Sequence, residues 1–558
     1  MARPRLSAED QSLRAKYEYF HVEDQDSQGQ DPVPDVCIQS ITWPRSQRSD
    51  SALESCELTQ FGNKVSAYSQ SDWPLKTMKP SLPEAPLEAI NESLRVSNSA
   101  FMGKYAGETG RRQPVHTVYG GAHLFKSDSA PRLGKVAERA MAEYASDFVV
   151  FAQALDLPGV EQLPDVLSYA QDLKARLESD PDSVREENKA AWLAHAIYSR
   201  VQEKLKREPV EDFRIDFEDG YGNRPDAEED GHAESAAIEV AAGVSAGTLP
   251  PFIGIRIKPF NEELRARSFR TLDIFVSTVV ARTGGRLPDN FVVTLPKITT
   301  PEQVSALANL FYLLEKQTGL APGALQMEMM IETTQSIINS EGRINLPLLL
   351  QAARGRCTAA HFGTYDYTAS CSITAAHQHM MHPACDFAKH MMQVSFAGTG
   401  IWLSDGATNI MPVGPHRAAE GTTLTQDQAD ENRAVVHRAW KLHYDHIQHS
   451  LTGGFYQGWD LHPAQLVTRY AAVYAFFLES LDAASERLRN FVEKAAKATL
   501  VGDVFDDAAT GQGLLNYFLR ALNCGALTEA EGLRLSGLTP EELRSGSFVK
   551  ILKGRQQL

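Results

Sequence analysis

From about residue 113 onward, short apolar runs alternate with longer stretches of helical period. PVHTVYGG, FRIDFEDG, FIGIRIKPF, FVVTLPKI, ALQMEMMIET, CTAAHFGTYDYT, GIWLSDG and FYQGWDLHP read as strands. RLGKVAERAMAEYASDFVVFAQAL, NEELRARSFRTLDIFVSTVVART, PEQVSALANLFYLLEKQ and HPACDFAKHMMQVSFAG read as helices, the third with proline at its start. Near-continuous apolar runs mark strands covered on both faces, as in parallel sheets. About eight strands alternating with helices predict an α/β fold, a TIM (β/α)8 barrel. Insertions are expected at about 157–210, charged and helical, and at about 415–450. After residue 470, YAAVYAFFLESLDAASERLRNFVEKAAKATL predicts one long helix. Short helices follow, with Thr-Pro-Glu-Glu starts.

Residues 1–80 lack either period. HVEDQDSQGQDPVPDV is acidic and contains two prolines, and WPRSQRSDSALESCELTQ is polar without rhythm. Such a composition buries too little apolar surface to offset ordering entropy, so a disordered arm is expected. The resulting division is an arm over 1–80, a lead-in helix over 81–112, the barrel over 113–470 and a helical C-terminal region over 471–558.

Charge and cysteine usage narrow the function classes. The net charge of −16 argues against nucleic acid or an anionic membrane as the main partner. No run of 18 apolar residues is present, and the first twenty residues lack the apolar core of a secretory signal. The six cysteines show no C-x-x-C spacing, which predicts reduced thiols and a cytoplasmic protein. GxGxxG and Walker A motifs are absent.

The ends of the strands carry the chemistry-bearing residues. The C-terminal strand ends of a barrel line its active site. Here they supply Asp216, Glu218, Asp219, Arg256, Lys258, Lys297, Glu332, Asp366, Asp405 and His462. Glu332 closes an apolar run, and an ionised carboxylate is almost never buried without a partner. Asp366 follows one βα unit later, and adjacent strands lie ~5 Å apart, so the two carboxylates can converge. Two oxygen ligands with room for water and substrate suit Mg2+ or Mn2+. The plainer reading is that each acid pairs with a lysine or arginine, or caps a helix. Glu328 lies deeper on the same strand face and is expected to meet a cation inside the barrel. Lys297 reads as a structural or carboxylate-pairing lysine rather than a nucleophile.

The histidines carry weaker signals. His377, His379 and His382 form H-x-H-x-x-H, but the pair two apart cannot share a helical face and Pro383 interrupts the segment. They are expected at the active-site mouth rather than on zinc. His116 and His123 flank the first strand, where either can reach substrate. His116 and Asp405 are the substrate-binding candidates beside Arg256. His462 is expected to be a structural hydrogen-bonding residue of the last strand.

The segments IDFEDG, IRIKP, LPKI, MIET, HFGTYDYT, WLSDG and GWDLHPAQ occur in this order over about residues 113–470. In that succession the chain resembles the citrate lyase β-subunit-like family of the HpcH/HpaI aldolase and phosphoenolpyruvate/pyruvate barrel superfamily. The resemblance is a divergent one, with an N-terminal arm, the insertion before IDFEDG and a larger C-terminal part setting the chain apart. The resemblance implies that Glu332 and Asp366 bind Mg2+ (or Mn2+), that Arg256 binds substrate oxygens, and that Glu218 and Asp219 surround the metal. It implies a metal-dependent carbon–carbon lyase or aldolase acting through an enolate on a small 2-oxo or 3-hydroxy acid, free or as an acyl-CoA thioester, in a homo-oligomer. Malate synthase-like condensation or thioester hydrolysis, phosphoryl transfer on a phosphoenolpyruvate-like substrate and a non-catalytic barrel are the alternatives.

Overall fold

The computed structural model describes residues 82–556, apart from 108–109, 165–166, 494–498, 502–503 and 507. The arm expected over 1–80 lies outside the described residues.

Eight parallel strands close into a barrel in sequence order. They are β1 (His116–Gly121), β2 (Asp212–Asp216), β3 (Phe252–Arg256), β4 (Phe291–Leu295), β5 (Gln326–Ile331), β6 (Cys357–Phe362), β7 (Trp402–Ala407) and β8 (Gln457–Asp460). Closure is made by β1 against β8, with Thr117 opposite Trp459. This is the TIM barrel read from the periodicity. Its outward-facing apolar side chains and the covering helices form one contiguous core, which runs on into the C-terminal helices through Leu514, Phe518 and Phe548.

The barrel interior is not apolar. In β2, Asp212, Arg214 and Asp216 alternate with Phe213 and Ile215. Arg214 donates to Glu328 through Nε at 2.9 Å and Nη2 at 2.6 Å, and its Nη1 pairs with Asp212. Thr294 and His361 complete this layer around Glu328, at 3.0 and 3.3 Å. The interior cation expected for Glu328 is therefore Arg214. The strand period of two explains the pattern: apolar residues face the helices and charged ones face each other.

Several element boundaries differ from the sequence reading. Lys189–Arg207, inside the expected insertion, is a barrel-covering helix whose Leu193, Ile197, Val201 and Leu205 are buried. The excursion between β1 and β2 consists of the shorter helices that precede it. Gln426–Thr452, inside the second expected insertion, is likewise a helix with a long buried face. The stretch after β8 is two helices, Gln465–Glu479 and Leu481–Glu493, broken at Ser480. The first is buried on almost every side. No helix among the described residues is long and apolar enough to cross a membrane.

Candidate active site

Glu332 stands one residue beyond β5, and local structure holds it there. Thr333 Oγ1 donates to the Ile298 carbonyl at 2.6 Å and accepts from Ser336 N at 3.1 Å, capping the one-turn helix Thr334–Ile337. Between strand and cap, Glu332 turns into the barrel mouth with 1 % of its surface exposed. Its Oε1 accepts the backbone N–H of Lys297 at 2.6 Å. On the other side lies Gly363, where a Cβ would come within 2.5 Å of Glu332 Cβ and 2.6 Å of Oε2. Only glycine leaves the carboxylate this space.

Asp366 is not on a strand. β6 ends at Phe362, and Asp366 lies in the first turn of the helix Thr364–Ser370. The apolar run was read too far, because Gly363 ends the ladder and opens the helix. Asp366 still reaches the mouth, half-exposed, and lines a cavity of about 310 Å³ with Glu332, Lys297, Asn261, Gln303 and Ser370.

Behind these acids, Arg256 is fully buried and gripped by Asp216, with Nε to Oδ1 at 2.7 Å and Nη2 to Oδ2 at 2.5 Å. Asp216 also accepts the N–H groups of Glu218 at 2.9 Å and Gly220 at 2.7 Å. The guanidinium packs 4.8 Å from the Tyr119 ring and 5.3 Å from Trp459. Glu218 Oε2 lies 3.0 Å from Arg256 Nη1 but off the line of its N–H bonds, so the contact is Coulombic. Lys297 completes the group: its Nζ pairs with Glu218, lies 3.1 Å from Asp219 Oδ1 and 3.9 Å from Asp366 Oδ2. Its φ of 51° is left-handed, a backbone state costing about 1–3 kcal/mol that persists where surrounding structure imposes it.

These surroundings shift the acids differently. Burial, then Asp366 and Glu218, push the Glu332 carboxyl up to about 8. Burial raises Glu218 to about 7, with Asp219 adding to the rise and Arg256 and Lys297 opposing it. Asp219 is also penalised by burial, but Arg256 and Lys297 hold it below the usual range. Five acids thus face two cations, and the excess of negative charge favours the protonated form of the buried Glu332 and Glu218.

Two expected substrate residues are elsewhere. Asp405 sits on β7 but points out to the helices, where Lys389 Nζ lies at 3.1 Å and Ser450 Oγ donates at 2.6 Å. His116 is at the opposite end of β1, fully buried, accepting from Glu211 N at 3.0 Å and facing Asp460 at 3.7 Å. Lys258 is a structural tie from Phe217 O at 2.6 Å to Glu229 at 2.9 Å. His462 accepts from Ala464 N at 3.1 Å, a local turn bond. His382 accepts from Ala384 N at 3.1 Å at the start of its helix. Among the described residues no three His, Cys, Asp or Glu side chains converge as a metal-binding set. Asp216 was not assigned a role in the sequence, although alternation along DFRIDFE marks it as inward-facing.

A closed parallel barrel with an arginine, a lysine and five acids at its C-terminal mouth is the architecture this chain defines. By sequence it belongs to the family described as "Domain of unknown function (DUF6986)", whose model matches residues 94–551. No curated protein matches it. Among solved structures it is similar to a citrate lyase from Burkholderia xenovorans LB400, at 18 % identity over 60 % of this chain and 91 % of that one, TM-score 0.44. It is also similar to CitE from Mycobacterium tuberculosis in complex with magnesium, acetoacetate and coenzyme A (12 %, 62 % and 96 %, TM-score 0.36). A Haloferax volcanii malate synthase is a third such neighbour (14 %, 62 % and 90 %, TM-score 0.34). Likenesses this distant carry no argument about chemistry.

Proposed function

We propose that this protein is a Mg2+-dependent carbon–carbon lyase that works through an enolate on a small 2-oxo or 3-hydroxy acid, free or as its CoA thioester. The observation that carries the reading is the buried Glu332 carboxylate at the barrel mouth, with Asp366 lining the same cavity and Arg256 held behind. The donor set fits the ion. Both ligands are hard carboxylate oxygens, Gly363 keeps one face of Glu332 clear, and the cavity has room for water and substrate. Mg2+ so held would polarise a ketone and stabilise the developing negative oxygen.

The chain's own residues supply the rest. Asp216 occupies Nε and Nη2 of Arg256, so the guanidinium plane is preset, and Nη1, which donates to Met330 Sδ at 3.8 Å, is the nitrogen beside Glu218 and Asp219. From there it would donate a charge-assisted hydrogen bond to a substrate carboxylate or enolate oxygen. Glu218, with its carboxyl near 7, is suited to hold and release the proton at the carbon that loses or gains its bond. Asp219, held ionised, would orient that exchange from the exposed side. The experiment is a screen of 2-oxo and 3-hydroxy acids and their CoA thioesters for Mg2+-dependent release of pyruvate, acetate or acetyl-CoA. Turnover that is abolished by chelator and restored by Mg2+ supports the reading. Activity indifferent to chelator overturns it.

A further inference from the structure

Lys297 touches four of the five acids at the mouth, all but Asp216. Its ammonium meets Glu218, Asp219 and Asp366, and its backbone N–H holds Glu332. The left-handed φ of 51° serves both contacts, turning the N–H toward β5 while the side chain returns toward β2. The ammonium thus stands 3.9 Å from Asp366, one of the two proposed ligands, and on Glu218 and Asp219 beside them. We propose that Lys297 is a built-in counter-ion, which holds the carboxylates together and must be displaced before a divalent cation binds. This rests on the metal-dependent reading above.

Two features make the displacement physically accessible. The Lys297 side chain is about one-third exposed and borders a cavity whose walls away from Glu332 and Asp366, namely Pro259, Asn261, Thr299 and Gln303, carry no charge. It therefore has somewhere to go that is neither apolar core nor a second ion pair. Its departure leaves Glu218 beside Arg256, with Oε2 at 3.0 Å from Nη1. A monovalent ammonium suits a displaceable counter-ion. It screens the acids enough to keep the mouth folded, and a doubly charged ion outcompetes it for these carboxylates.

The test uses the full chain stripped of metal with chelator. Mn2+ is titrated calorimetrically into wild type, K297M and K297R. K297M is expected to bind Mn2+ at least tenfold more tightly than wild type, while K297R, which retains a cation, does not gain. Because removing any nearby positive charge raises cation affinity, and because K297M could fold poorly, a second measurement is made on wild type alone. Reductive methylation is read by mass spectrometry at Lys297, with exposed Lys550 as the internal reference. Saturating Mn2+ is expected to raise labelling of Lys297 several-fold and leave Lys550 unchanged. If wild type binds Mn2+ but Lys297 labelling does not rise, the ammonium stays in place and the inference falls while the metal reading stands, even if K297M binds more tightly. If neither wild type nor K297M binds Mn2+, both fall together.

Discussion

Glu332 is the residue on which the chemistry turns, and its protonation makes it testable through stability alone. An ordinary glutamate has a carboxyl near 4.5, and here it is pushed up to about 8 by burial and by Asp366 and Glu218. A folded-state value above the unfolded one means that the folded protein holds an extra proton between the two. That contribution to stability is complete below about 4.5 and is lost as pH rises through about 8. The melting temperature of metal-free wild type is therefore expected to fall between pH 6 and 9, and Glu332→Gln, which cannot ionise, should flatten that fall. The same variant removes one anionic ligand, so its Mn2+ affinity should drop at least tenfold by calorimetry. Asp366→Asn should match it, and the double variant should be little worse than either, because the two act as one site. Arg256→Lys retains charge but cannot reproduce the two-pronged grip on Asp216 while presenting a third nitrogen. Turnover is expected to fall on the order of 10²-fold, as for loss of an oxyanion donor.

The strand ends show why an acid near a tip is not automatically at the site. Successive residues of a strand face opposite sides, so Asp405 and Gly406 diverge although they are neighbours. Asp405 met Lys389 and Ser450 on the helix side, and His116 belonged to the far end of its strand. In β5 the same rule worked in favour of the reading, since Glu328 and Glu332 are four apart and both face inward. The junction after β6 is the most constrained element. Gly363 has φ of −103°, which any residue adopts, so its requirement is space rather than conformation. Gly363→Ala would drive a methyl into Glu332, and it is expected to lower both the melting temperature and Mn2+ affinity. Alanine tolerated with unchanged affinity would show that Glu332 is free to move aside.

Across the molecule the barrel interior holds two charged layers with different tasks. The deep layer of Asp212, Arg214 and Glu328 is paired within itself and borders a cavity of about 280 Å³ with Arg111 and Trp402, while the upper one borders the cavity of Glu332 and Asp366. Arg214→Met would leave two buried carboxylates without their cation, a loss of about 3–5 kcal/mol when a buried pair is broken. A large drop in urea midpoint is expected, with the Mn2+ affinity of the folded protein unchanged. A shared loss of stability and affinity would show that the layers act as one network.

Periodicity alone determined the eight alternating strands, their parallel order and the group of acids at their C-terminal ends. These are local properties: apolar runs, helix starts and the residues that close a run are written along the chain. What only the tertiary structure decided was the facing and the pairing. Whether Asp405 looks in or out, that Asp216 rather than substrate grips Arg256, and that Lys297 stands among four acids from the ends of other βα units depend on contacts between residues 16 to 79 positions apart. The helices at 189–207 and 465–479 show a related limit of local pattern. A charged or long helical stretch carries no local mark of whether it covers a barrel or stands apart from it, and only the surface it is packed against distinguishes the two.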